Sequence, residues 1–256
     1  MKKLSKKDRI LLVVCGLIIV VITSYYGWFF WPWFGGRVVS PCKYDWTTLG
    51  TTTADASDAF FITNHSSYSQ HKVFRYFRDI VLRTESDHRV HTIRKWITPI
   101  GLFIDEGASE EDLLVIQSVC EYLNSIQGFP GIHEVSSEEA AGIALHFTSG
   151  NNFGSNGYFY VDSFDENDNI TKIHIYVRDN LPREKKTSVL WEELLQSTGP
   201  MNDTKLTSDT LFYGGKEDLP GPSELDRTLL EMLYHPLIKS KMDYYQCLSI
   251  FLIYMK

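Results

Sequence analysis

LWEELLQSTGPMND, residues 190–203, is the stretch from which the rest of this chain is best read. Leu190, Leu194 and Leu195 recur at helical spacing, and Gly199-Pro200 is a strong stop, which predicts a helix over about 188–198. Glu192 and Gln196 are four positions apart and so share one face of that helix, with Glu193 offset by one position. Asn202 and Asp203 follow the glycine bend and can fold back toward that face. Acids early in a helix also complement its positive end, and turn residues often serve only as turn residues. The cluster is therefore readable either as a retained polar network or as a site.

Outward from this helix the pattern alternates between strand and helix. WITPIGLFI, residues 96–104, is apolar and rich in strand formers, bounded by Asp105-Glu106-Gly107. Ser109 and Asp112 form a capping-box pattern ahead of a helix. In that helix Leu113, Leu114, Ile116, Val119, Cys120, Leu123 and Ile126 are expected to form one buried stripe, closed by Gln127-Gly128. Short extended segments follow at 131–135 and 142–147, and then YFYVDSF (158–164) and KIHIYVR (172–178) flank a polar turn as a hairpin. A helix over 223–234 with Leu225, Leu229, Leu230 and Leu233 inward ends at His235-Pro236. A short helix is placed near 69–79, and the apolar tail 244–255 is a buried closing segment, too short to span a bilayer. The order specifies an α+β domain with helices packed on one twisted mixed sheet.

The spacing of Glu192-Glu193, Gln196, Gly199 and Asn202 resembles the active-site helix of the zincin metallopeptidases of metzincin type, His-Glu-x-x-His-x-x-Gly-x-x-His/Asp. Glu192 stands at the first histidine position, Glu193 at the catalytic glutamate, Gln196 at the second histidine and Asn202 at the third ligand, with Asp203 adjacent. TLFYG, residues 210–214, is similar to the turn that carries a methionine beneath the metal, with Phe212 at the methionine position. LDRTLLEMLYHP, residues 225–236, is similar to the closing helix. A closer resemblance is to an uncharacterised family of bacterial envelope proteins and lipoproteins, mostly proteobacterial, with a domain of unknown function. That family looks like a degenerate metzincin-type zinc peptidase, with Glu-Glu-Leu-x-Gln-x-x-Gly, Asn-Asp and a closing Asp…Leu-Tyr-x-Pro…Met. Here these are Glu192-Glu193-Leu194, Gln196, Gly199, Asn202-Asp203, Asp226, Leu233-Tyr234-His235-Pro236 and Met242. The resemblance implies a zincin-like sheet, and this chain departs from the family in carrying an apolar anchor where those members carry a lipid.

Residues 10–34 contain no charged side chain and at about 1.5 Å per residue are long enough to cross a hydrocarbon core of about 30 Å. Lys2, Lys3, Lys6, Lys7 and Arg9 precede them and are expected to stay cytoplasmic, with the body outside, periplasmic in a Gram-negative cell. The aromatic run at 25–34 suits the membrane–water boundary, and no small-residue cleavage pattern follows it. The expected organisation is a basic tail (1–9), an anchor (10–34), a linker (35–58) and an extracytoplasmic domain (59–256). The first 36 residues carry a net charge of +4, so the remaining 220 carry −11 of a total of −7. An acidic body excludes nucleic acid as a natural partner. Cys42, Cys120 and Cys247 in the body allow three pairings of a single disulfide. Sequons lie at Asn64, Asn169 and Asn202.

Glu192, Gln196, Asn202 and Asp203 offer only oxygen donors, suited to a hard divalent cation rather than zinc. Without imidazole ligands the Lewis acid that generates hydroxide is missing. Neither a resident cofactor nor zinc peptidase activity is expected. His146 and His174 fall inside strands and read as structural; His88 and His91 read as solvated. The expected function is a non-catalytic tethered domain that binds a peptide or an envelope partner. The edge for peptide addition would be the strand at 158–164. Its alternative is an unorthodox metal-dependent hydrolase with Glu193 as general base.

Overall fold

The computed structural model describes residues 68–83, 91–149, 154–215 and 218–254. The tail, anchor and linker expected at 1–58, together with Cys42, the Asn64 sequon and His88, lie outside the described residues. Among the described residues no helix is long and apolar enough to cross a membrane.

Five α-helices and one five-stranded sheet make up the described α+β fold. The helices are α1 (Gln70–Val81), α2 (Glu110–Asn124), α3 (Arg183–Gln196), α4 (Glu224–Leu233) and α5 (Tyr244–Tyr254). The strands are β1 (Ile100–Ile104), β2 (Ile132–Glu134), β3 (Ile143–Thr148), β4 (Gly157–Phe164) and β5 (Ile170–Arg178), in the order β2-β1-β3-β5-β4. All neighbouring pairs are parallel except β4 with β5. The β4–β5 hairpin is held at its turn by Asp165, which accepts from the backbone N–H groups of Asn167 and Asn169 and from the Asn169 amide.

Local chemistry explains most boundaries. Ser109 and Ser223 each form a full capping box with an aspartate three residues on, Asp112 and Asp226, satisfying donors that a helix start leaves open. α3 begins five residues before the expected start, because its first turn, Arg183-Glu184-Lys185-Lys186, is a solvated charged turn without apolar periodicity. Pro182 at its N-cap fits a helix start, where a missing N–H costs nothing. β1 is shorter than expected, since residues 96–99 run into the sheet without joining it. Trp96 instead donates from Nε1 to the Ser197 carbonyl at 2.9 Å, and the Tyr234 hydroxyl donates to that of Thr198 at 2.7 Å. These two bonds satisfy carbonyls that the buried end of α3 would otherwise leave open.

The core lies on the sheet face formed by Ile100, Leu102, Ile143, Leu145, Ile173, Ile175 and Val177, against Ile116, Val119 and Leu123 of α2 and Leu190 and Leu194 of α3. Leu113 and Leu114 do not belong to it; they are exposed on α2, off its buried stripe of Asp112, Ile116, Val119 and Leu123. At the other end Phe251 of α5 packs edge-on against Phe74 and Phe77 of α1. Tail residues Cys247 and Phe251 are buried, whereas Tyr245, Leu252 and Ile253 are exposed, so α5 closes the core with one face only. Cys120 and Cys247 are free thiols and form no bridge with each other. The side chains of sequon residues Asn169 and Asn202 are buried and hydrogen-bonded, which closes both to glycan attachment in the folded state.

Lys95 is buried where residues 91–99 cross the end of α4. Its ammonium donates to the carbonyls of Leu233 at 2.9 Å and Ile238 at 2.7 Å. Burial, reinforced by nearby Lys239, lowers its pKa from 10.5 to about 8. Between those two values the unfolded chain binds more protons than the folded one, so stability rises with pH across this window. Denaturant titrations through it should show the natural chain gaining on Lys95→Met. A pH-independent difference would contradict the burial of the charge.

Candidate functional site

The second half of α3 is enclosed on nearly every side: Ser188 to Gln196 are buried apart from Glu192. Three of the enclosed residues are polar, Ser188, Glu193 and Gln196, and burying them requires partners. The Gln196 amide donates to Asp203 Oδ1 at 2.9 Å, across the bend made by Gly199. That bend needs glycine twice over. Its φ is +131°, and a Cβ there would sit 2.7 Å from the Arg94 carbonyl oxygen and 3.0 Å from Leu233 Cδ2. Gly199→Ala is expected to cost about 2–4 kcal/mol, combining backbone strain with overpacking, in chemical denaturation. A cost below about 0.5 kcal/mol, the size of an ordinary surface substitution, would contradict this geometry.

Glu192, Glu193, Gln196 and Asp203 line one cavity of about 360 Å³, with Lys185 and Val189 on the helix side and residues 155–159 leading into β4 on the other. Gly157 is the closest approach of that strand. A Cβ on it would meet Val189 Cγ1 at 2.6 Å and Glu193 Oε1 at 2.7 Å. Three carboxylates thus face a cavity with one ammonium, Lys185, which is itself bound to Asp218 at 2.6 Å. Asn202 does not line this cavity. Its amide donates to the carbonyl of Asp79 at 2.7 Å and to that of Asp203 at 2.8 Å, tying the loop to α1. Its neighbour Asp203 is the residue that folds back onto α3.

The TLFYG turn lies directly behind Asp203. Thr204 donates its N–H to the Phe212 carbonyl at 2.8 Å, and Gly214 donates its N–H to that of Thr204 at 3.0 Å. The Phe212 ring is fully buried. Asp226 joins this turn to α1 and α4. It is fully buried, and it accepts from the Tyr76 hydroxyl at 2.6 Å, from the Leu211 N–H at 3.2 Å and from both the N–H and hydroxyl of Ser223. Burial raises its carboxyl above the ordinary range, while these donors pull the other way. Burial first, and then the Asp226 charge, raise the Tyr76 hydroxyl well above its ordinary range.

The motif residues quoted from α3, the bend, the turn and the closing helix thus form one connected structure. A family model described as "protein of unknown function (DUF2927)" matches residues 70–251, from the first residue of α1 to the last buried residue of α5. The chain belongs to this family. No curated protein matches it. The DUF2927 domain therefore takes in every strand and helix described here except the last three residues of α5, and the polar cavity and the Asp226 junction both belong to it.

Sequence reasoning missed a second polar cluster in this DUF2927 domain. Among the described residues, one group of three or more His, Cys, Asp or Glu brings ligand atoms within 4.8 Å of one another: Glu138, His146 and His174. Both histidines occupy the strands expected for them, yet their side chains lie together. They are 28 positions apart, and only the β3–β5 register, which sets Ala144 beside His174 and His146 beside Tyr176, makes them diagonal neighbours.

Proposed function

We propose that this domain is a non-catalytic, membrane-tethered, extracytoplasmic module with a degenerate zincin-like cleft that binds an extended peptide segment of an envelope partner. One observation carries the reading. The Gln196–Asp203 hydrogen bond joins the positions of a metal ligand and of the loop beyond the bend, in a cavity whose described lining holds no imidazole. Catalytic zinc sites rely on imidazole or thiolate donors with an open position for water. Here a neutral amide stands in their place, and it is already hydrogen-bonded to a carboxylate.

Peptide binding is supported by β4. It is the antiparallel outermost strand of the sheet, and its first residues line the same cavity as Glu192 and Glu193. An extended segment adding to such an edge gains main-chain hydrogen bonds while its side chains reach the adjacent cavity. Three carboxylates there favour a lysine- or arginine-bearing segment. The tether rests on residues 10–34, whose apolar length suits a bilayer.

The hydrolase alternative is favoured by the position of Glu193, which is buried and faces the cavity. A cleavage assay separates the two. The full chain, purified in mild detergent, is offered a pool of fluorogenic peptides with Zn²⁺, Mn²⁺ or Ca²⁺. No turnover above background is expected with any of them. Metal-dependent cleavage that Glu193→Gln abolishes would overturn the proposal.

A further inference from the structure

The face of the sheet turned away from α2 and α3 carries a ladder of rings. Tyr158 stacks on Tyr176 with centroids 5.1 Å apart, Tyr176 on His146 at 4.8 Å, and Tyr160 on His174 at 5.1 Å, all within about 25° of parallel. Strand alternation places them there: Ile173, Ile175 and Val177 face the core, so His174 and Tyr176 face the other way. Packing of this kind holds both imidazoles in fixed orientation. The Ser137–Ala141 segment carries Glu138 on a short 3₁₀ turn beside β1, and brings its carboxylate to the same place.

The three ligand atoms lie within 4.8 Å of one another, close enough for one ion to join them. His146 Nε2 and His174 Nδ1 are 3.4 Å apart. The separation is that of a long imidazole–imidazole hydrogen bond, made by rings within 10° of parallel, and a bound ion would replace that bond. The same separation matches the edge of a tetrahedral zinc site, where metal–nitrogen bonds of about 2.0–2.1 Å set ligand nitrogens about 3.3–3.4 Å apart. Glu138 Oε1 lies 3.7 Å from each of these same two nitrogens. Its side chain is 42% exposed and can close the remaining few tenths of an ångström. The other nitrogen of His146, Nδ1, faces Asp105 Oδ2 at 3.7 Å. Asp105 is held in turn by the N–H groups of Phe147 at 3.0 Å and Gly107 at 2.9 Å. At 3.7 Å Asp105 acts on the imidazole through its charge rather than as a hydrogen-bond acceptor, and a negative charge behind the ring favours a cation at the facing nitrogen.

We infer that His146, His174 and Glu138 form a binding site for a zinc-class divalent ion on the open face of the sheet, with the Asp105 carboxylate behind His146. Two imidazoles and one carboxylate are a borderline-soft donor set, which prefers Zn²⁺ and its transition-metal neighbours to Ca²⁺ or Mg²⁺. Three protein ligands leave a fourth position to water. Glu138, His146 and His174 share no residue with the cavity at α3, so this site stands independently of the proposed peptide cleft.

The test uses the full chain without an affinity tag, stripped with chelator and titrated with Zn²⁺, and with Co²⁺ as the spectroscopic probe. One equivalent should bind, with a visible Co²⁺ spectrum of nitrogen–oxygen ligation, and Ca²⁺ or Mg²⁺ in excess should not compete. His146→Ala or His174→Ala should each abolish binding or weaken it by more than about 100-fold, and Asp105→Asn, which removes only a nearby charge, should weaken it by less. Glu138→Gln, at a half-exposed turn position that leaves folding intact, should alter the Co²⁺ spectrum. Absence of binding to the natural chain would overturn the assignment. So would binding retained in Glu138→Gln and His146→Ala alike, or lost in Asp203→Ala but kept in the histidine variants.

Discussion

Asp226→Ala should destabilise the domain by about 4–5 kcal/mol, a large part of the 5–15 kcal/mol that holds a typical domain folded. Its carboxylate is the buried acceptor on which three elements converge: Tyr76 from α1, Leu211 from the TLFYG turn and Ser223 at the start of α4. Alanine leaves a phenol and two backbone N–H groups without that acceptor, each at about 1–3 kcal/mol where water cannot enter. It also removes half of the α4 capping box. Asp226→Asn keeps one acceptor oxygen and the shape of the side chain, and should cost less than half as much. Equilibrium unfolding of the two variants tests this. Equal effects would mean that volume, not hydrogen bonding, explains the position.

Phe212→Ala should cost about 3–5 kcal/mol, whereas Phe212→Met should cost less than about 1.5 kcal/mol. The ring is fully buried behind Asp203, and its backbone carbonyl holds the N–H of Thr204. Truncation opens a cavity beneath the loop that carries Asp203. Methionine is flexible and of similar volume, and fills such gaps well. The pair separates the volume of the buried side chain from its aromatic shape. A methionine variant as unstable as the alanine one would show that shape, not volume, explains the position.

Much of this fold was legible because its signals are local. The capping boxes at Ser109 and Ser223 are three-residue spacings, and the β4–β5 hairpin shows period-two alternation around a polar turn. The charged first turn of α3 has no apolar period, and only Pro182 marked its beginning. Leu113 and Leu114 are apolar but fall one and two positions off the buried stripe of Asp112, Ile116, Val119 and Leu123, so they face solvent. Trp96 sits in a run of strand-forming composition, while its indole N–H serves the end of α3 instead.

The sites divide in the same way. Glu192, Glu193, Gln196 and Asp203 could be named together because one helix and one bend determine their proximity. Asn202 is adjacent in sequence, yet the chain turns its side chain toward α1. The His146–His174–Glu138 cluster depends on strand register and on a 3₁₀ turn from a third segment. No spacing along a single chain specifies a register between β3 and β5.

Peptide capture at β4 is tested most directly by amide hydrogen exchange of the full chain with and without a pool of lysine-bearing peptides. Slowed exchange across residues 157–164 is expected when peptide is present, and the slowing should be lost in Asp203→Lys, which reverses a charge in the cavity. Unchanged exchange across β4 at saturating peptide, or protection that survives Asp203→Lys undiminished, would contradict peptide capture there.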